Sequence, residues 1–108
     1  MRADKLYPPK YAVIDHATSG DNEIVAAVTG KKTRVLAVLL MSGGTVNARF
    51  ESAAGGTSLT GQMQLTAQAG FVLPFNPVGW FETVAGQALN LELSGAVSVD
   101  GCLVYQVI

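Results

Sequence analysis

Two stretches of the chain alternate cleanly between apolar and polar positions. In Thr45 to Glu51, Val46, Ala48 and Phe50 fall on one side and Asn47, Arg49 and Glu51 on the other. In Gln87 to Leu93, Leu89, Leu91 and Leu93 oppose Asn90 and Glu92. A period of two is that of an extended strand with one face buried and one wet. Val97 and Val99 continue the alternation to Asp100-Gly101, a dipeptide expected to form a two-residue hairpin turn, and Cys102 to Ile108 is predicted as the closing strand.

The remaining segments fit the same scheme with weaker patterns. Tyr11 to Ala17 is rich in aromatic and β-branched residues and predicts a first strand. Thr18-Ser19-Gly20-Asp21-Asn22 has the chemistry of a turn, and Glu23 to Thr29 is expected to form the second strand. Thr33 to Ser42 is the most apolar segment. Val35, Ala37, Leu39 and Met41 line one face and Leu36, Val38 and Leu40 the other, which predicts a strand covered on both faces. Gly43-Gly44 is expected to close a hairpin after it. Thr57 to Thr66 is anchored by Leu59, Met63 and Leu65, and Gly61 predicts a bend between two short strands. Gly70 to Phe75 and Trp80 to Thr83 supply two more short elements, separated by an Asn76-Pro77 loop.

Strands and Gly-containing turns at intervals of roughly 8–12 residues predict an all-β domain, an antiparallel β-sandwich of jelly-roll type. No segment carries a helical period of ordinary length. Residues 11–108 form the sandwich. Residues 1–10, polar and interrupted by Pro8-Pro9, are expected to be an extended N-terminal arm with Leu6, Tyr7 and Tyr11 as apolar anchors.

Composition adds a hint about surroundings. With 108 residues the chain is one domain. Some 49% of residues are hydrophobic and 14% charged, against about a quarter charged in an ordinary soluble domain. This rules against disorder and suggests that part of the surface is covered by partners. A net charge of −1, with Lys31, Lys32 and Arg34 as the one basic cluster, gives no footprint for nucleic acid. The longest apolar run, Val35 to Met41, is too short to cross a membrane. The start of the chain has no apolar core of a secretion signal.

The chemistry-bearing residues do not assemble into a catalytic or cofactor pattern. His16 and Asp15 are adjacent on a strand and point to opposite faces, so they cannot form a relay with each other. One His and one Cys, Cys102, leave a zinc site within the chain improbable. The acidic stretch around Asp15, Asp21, Asn22 and Glu23 does not have the spacing of a calcium loop. The glycine pairs lack the following helix that a phosphate-binding loop needs. The expectation is a protein that is not an enzyme and takes no cofactor or metal. Phe71, Phe75, Trp80 and Phe81 fall close together, as core or subunit contacts or as a platform for a sugar.

Gly30-Lys31-Lys32-Thr33-Arg34-Val35-Leu36, the apolar strand that follows it, and Gly43-Gly44-Thr45-Val46 resemble small virion proteins encoded by tailed bacteriophages. So do Pro74-Phe75-Asn76-Pro77-Val78-Gly79-Trp80-Phe81-Glu82-Thr83 and Gly86-Gln87-Ala88-Leu89-Asn90-Leu91. The resemblance spans about Tyr11 to Ile108. It implies a capsid decoration, or cement, protein. Such a protein is made in the cytoplasm of the bacterial host and forms a homotrimer on the outside of the head. It binds the major capsid protein through its arm, here Leu6, Tyr7, Pro8, Pro9 and Tyr11. The alternative is a tail- or head-fibre module that binds a host surface glycan through Phe75, Trp80 and Phe81.

Overall fold

The computed structural model describes residues 7–108. Leu6, with the rest of residues 1–6 of the expected arm, lies outside the described residues. Ten strands follow one another: β1 (Lys10–His16), β2 (Gly20–Val25), β3 (Thr33–Ser42), β4 (Val46–Ser52), β5 (Thr57–Ser58), β6 (Met63–Leu65), β7 (Gly70–Leu73), β8 (Phe81–Glu82), β9 (Leu89–Leu93) and β10 (Val99–Val107). No helix occurs among the described residues. All pairings are antiparallel.

The strands make two sheets. One runs β1-β10-β3-β7, with β8 also on β3; the other runs β2-β9-β4-β5, with β6 also on β4. The pairing works from the ends of the chain inward: β1 with β10, β2 with β9, β3 with β7, β4 with β6. The two sheets pack on each other through a common apolar cluster that includes Ile14, Val38, Leu40 and Leu103 from the first sheet. Val46, Ala48, Phe50, Leu89, Leu91 and Leu93 supply it from the second. The alternating residues of β4 and β9 therefore point inward as their period predicts. Phe50 and Phe81 touch within this core, ring centroids 5.1 Å apart and tilted by 35°, a favourable non-parallel aromatic arrangement.

Three local expectations are corrected. Gly43-Gly44 does not close a hairpin, because β3 and β4 lie in different sheets. Ser42 pairs instead with the preceding turn of β7: its N–H donates to Ala69 and its carbonyl accepts from Gln68. The chain then crosses from one layer to the other. Asp100-Gly101 is not a turn but lies inside β10, with Gly101 between Ile14 and Leu40. The reversal after β9 falls at Ser94–Ser98, where Val97 N–H donates to the Gly95 carbonyl.

The second strand begins earlier than predicted and ends at Val25. The Asn22 amide is the cause: it donates to the carbonyls of Thr18 (2.8 Å), Gly20 (3.2 Å) and, across the sheet, Leu91 (3.3 Å). A residue with turn chemistry is thus used to fasten a strand start. The domain itself covers one face of β3, and on the other Leu39 and Met41 are half exposed.

Candidate functional site

The outer face of the first sheet is set by register. Tyr11, Val13 and Asp15 of β1 lie opposite Val104, Cys102 and Asp100 of β10. Val104, Cys102 and Asp100 in turn lie opposite Ala37, Leu39 and Met41 of β3, and Leu39 opposite Val72 of β7. Their neighbours in the chain, such as Ile14, Val38, Leu40 and Leu103, are in the core, so alternation sends the named set outward. Across the middle of the sheet the result is two apolar rows: Val13-Cys102-Leu39-Val72, then Tyr11-Val104-Ala37. A shallow hollow of about 210 Å³ lies among Ala37, Leu39, Val72, Pro74, Cys102 and Val104.

One end of this face is closed and the other open. A register shift between Val104 and Tyr105 sets Leu36 out of step in β3. Leu36 is buried yet stands outside the inter-sheet cluster. The loop Pro74–Trp80 is bonded along this stretch: Asn76 N–H donates to the Leu36 carbonyl and Trp80 N–H to the Val35 carbonyl. Beyond it Arg34 lies opposite Gln106 and Glu82. Glu82 pairs with Arg34 (3.2 Å) and Lys32 (3.7 Å). At the far end sit the carboxylates of Asp15 and Asp100, a register pair.

Tyr7, the first described residue, joins this closed end. The Gln106 amide donates to the Tyr7 carbonyl at 2.8 Å, so Tyr7 is held against the domain and is partly buried. Pro8 and Pro9 are exposed, β1 takes over at Lys10, and Tyr11 is 75% exposed. Of the five predicted contact residues, four are described, and Pro8, Pro9 and Tyr11 present apolar surface to solvent.

The aromatic group divides. Phe81 and Phe71 pack against the core cluster, whereas Phe75 (62%) and Trp80 (43%) are exposed. Trp80 is held by its indole N–H, which donates to the Pro74 carbonyl at 2.8 Å. With Arg34, Val78, Gly79, Phe81 and Glu82 it lines an open pocket of about 300 Å³.

No protein family, no curated protein and no solved structure matches this chain.

The outer face of the second sheet carries a feature that alternation alone concealed. Asp21, Glu51 and Glu92 bring carboxylate oxygens within 4.8 Å of one another. Arg49 pairs with two of them, its guanidinium 3.3 Å from Glu51 and 3.1 Å from Glu92. Glu51 is fully buried, and the Gly55 N–H reaches its other oxygen at 3.3 Å. An arginine already supplies the positive charge here, which makes the cluster an ion-pair brace across β4 and β9. Sequence reading placed Arg49 and Glu51 on the wet face; the cover provided by the 53–56 turn was not visible in the pattern.

The other candidates stay apart. Asp15 and His16 point to opposite faces, and the His16 Nε2 is buried without a hydrogen-bond partner. Cys102 is a free thiol in the middle of the outer apolar face. Of the acidic stretch, Asp21 lies with Glu51 and Glu92 of the second sheet. Among the described residues no helix is long and apolar enough to cross a membrane.

Proposed function

We propose that the chain is a structural component of a tailed-bacteriophage virion, a decoration protein that binds the major capsid protein on the outside of the head. The observation that carries this reading is the exposed apolar group Pro8, Pro9 and Tyr11, where the chain enters β1, with the preceding Tyr7 carbonyl fastened to the domain by the Gln106 amide. A strip of this kind lies across a neighbouring subunit with little loss of entropy, because proline has already restricted the backbone. The mechanism is non-covalent: a protein that binds only the assembled shell stabilises it by mass action.

The sandwich is proposed to be a jelly roll. Support comes from the end-inward pairing, since a long antiparallel ribbon of strand pairs rolled onto itself yields the two four-strand paths β1-β10-β3-β7 and β2-β9-β4-β5. Ten short strands bonded across so many sequence-distant pairs give a rigid platform for the strip.

The test uses heads of the encoding phage from which the decoration protein has been removed. The intact chain sediments with the heads and raises their melting temperature. A chain lacking residues 1–9, and a full chain carrying Tyr11→Ser, stay folded and lose this binding. Undiminished binding by both overturns the reading.

A second reading is favoured by one arrangement. Trp80 is exposed, fixed by its own hydrogen bond, and flanked by Arg34 and Glu82 in an open pocket. An aromatic face beside a cation and a carboxylate suits a saccharide, the ring stacking on its C–H faces while the charged groups bond hydroxyls. In this reading the chain is a fibre module for a host surface glycan. Glycan-array binding that disappears in a folded Trp80→Ala variant supports it, and no binding by the intact chain removes it.

A further inference from the structure

From the outer face of the first sheet we infer that two copies of this chain associate through it, face to face, about a two-fold axis that crosses the strands. The inference concerns the free protein and does not rest on the capsid reading, though exposed Tyr11 is common to both.

The face is apolar where a solvated sheet should be polar. Tyr11 is 75% exposed, Val13 63%, Leu39 50%, Met41 55% and Val72 65%. Side chains of this size and exposure sum to on the order of 500 Å², at the upper end of the largest single patch a monomer shows. Two such faces together remove roughly 1,000 Å², the threshold of a specific interface. The opposite face of the sandwich is polar: there Asp21, Glu23, Asn47, Arg49 and Glu92 occupy the equivalent alternate positions.

The partner is a second copy because the charges at the two ends of the face are self-complementary. Asp15 and Asp100 bound the apolar rows at one end, next to Met41. Lys32 and Arg34, sharing the single carboxylate of Glu82, bound them at the other. An axis parallel to the strands would set the two acidic ends against each other, which is repulsive. An axis across the strands reverses the second copy and lays each acidic end against the partner's cationic end, with the apolar rows matched between them. Such a contact is isologous, each patch meeting its own equivalent, and it closes at two copies. This departs from the trimer implied by the resemblance. Cys102 sits in the middle of the face, opposite Val13 on one side and Leu39 on the other, and is therefore close to the axis.

Sedimentation equilibrium of the intact chain, run from low to high micromolar concentration, measures the mass. Thiol labelling of Cys102, the one cysteine of the sequence, reports the face itself. The expected result is a mass moving to twice 11.2 kDa as concentration rises, with Cys102 labelling slowing at least tenfold over the same range. Leu39→Lys and, separately, Val72→Lys alter solvent-facing positions; each holds the mass at one chain and keeps Cys102 reactive at every concentration. Two variants guard against one failing to fold. A monomer throughout, a trimer, or a dimer that persists in both variants with Cys102 fully reactive overturns the inference.

Discussion

The guanidinium of Arg49 lies 3.3 Å from the carboxylate of Glu51, its neighbour but one on β4, and 3.1 Å from that of Glu92 on β9. Glu51 has no solvent exposure, so the arginine is its main source of compensation. Taking a carboxylate out of water is costly unless it is paired and hydrogen-bonded, and removing one partner of a buried pair leaves that cost uncovered.

Arg49→Met is therefore expected to lower stability by about 3 kcal/mol, read by urea denaturation at neutral pH. Adding Glu51→Gln to the same chain should recover a large part of the loss, because it removes the stranded charge and keeps an acceptor for the Gly55 N–H. If the double variant is as unstable as the sum of the two single ones, the pair is not coupled and the brace is misassigned.

Gly101 holds a conformation and a space that other residues lack. Its φ is +152°, and a Cβ placed there would run into the Leu39 carbonyl of the adjacent strand. Gly101→Ala should cost about 3 kcal/mol or more, since the obstacle is backbone and cannot rotate away. Gly95 has nothing within 4 Å of a built Cβ, and Gly95→Ala should leave the melting temperature unchanged or slightly raised. Similar melting temperatures for the two variants would contradict the placement of Gly101 inside β10.

That glycine also shows what the sequence conveyed and what it withheld. Alternation told which residues of β4 and β9 point inward, and Phe50, Leu89, Leu91 and Leu93 are buried as their spacing requires. It did not tell which sheet a strand joins. Asp100-Gly101 and Gly43-Gly44 have the chemistry of tight turns, yet one serves close packing of strands and the other a crossing between layers. Turn chemistry reports permissive backbone, and several structures use it. The apolar outer face is visible in the sequence as Leu39 and Met41, but periodicity says only that such a face is covered and not whether the covering surface belongs to the same molecule. The Arg49 brace was hidden for another reason: its partners Glu92 and Asp21 are brought in by strand register, which no local pattern encodes.

Leu36 is buried apart from the core, at the stretch where the Pro74–Trp80 loop is bonded to β3. Truncating it should leave a cavity beside that loop and cost about 2–5 kcal/mol. The sequence has a single tryptophan, so Trp80 emission reports the loop directly. Leu36→Ala is expected to shift that emission to the red at temperatures where far-ultraviolet circular dichroism still shows the full strand signal. Emission that changes only with global unfolding would mean the loop does not depend on Leu36.

Two hydroxyls fasten the segment after β8 to both layers. Thr83 is buried, its Oγ1 accepts the Thr33 N–H of β3 at 2.9 Å, and its own N–H donates to the Thr33 carbonyl. One residue on, the Val84 N–H donates to the buried Ser52 Oγ of β4 at 2.9 Å, and that hydroxyl donates to the Gln87 side-chain oxygen at 2.6 Å. The segment thus bridges the two sheets by polar contacts in a place where it contributes little to the apolar core. Thr83→Val keeps the shape and removes the acceptor, leaving the Thr33 N–H buried and unpaired, which costs about 1–3 kcal/mol. Ser52→Ala should cost a similar amount by stranding the Val84 N–H, whereas Thr83→Ser, which keeps the hydroxyl, should cost clearly less than Thr83→Val. Because the two bonds hold adjacent residues, the Thr83→Val/Ser52→Ala double variant should be less unstable than the sum of its parts: once one bond is gone, the strand end is free to find water. Strict additivity in chemical denaturation would show instead that each hydroxyl secures its own strand independently, and that the segment is not a single bridge.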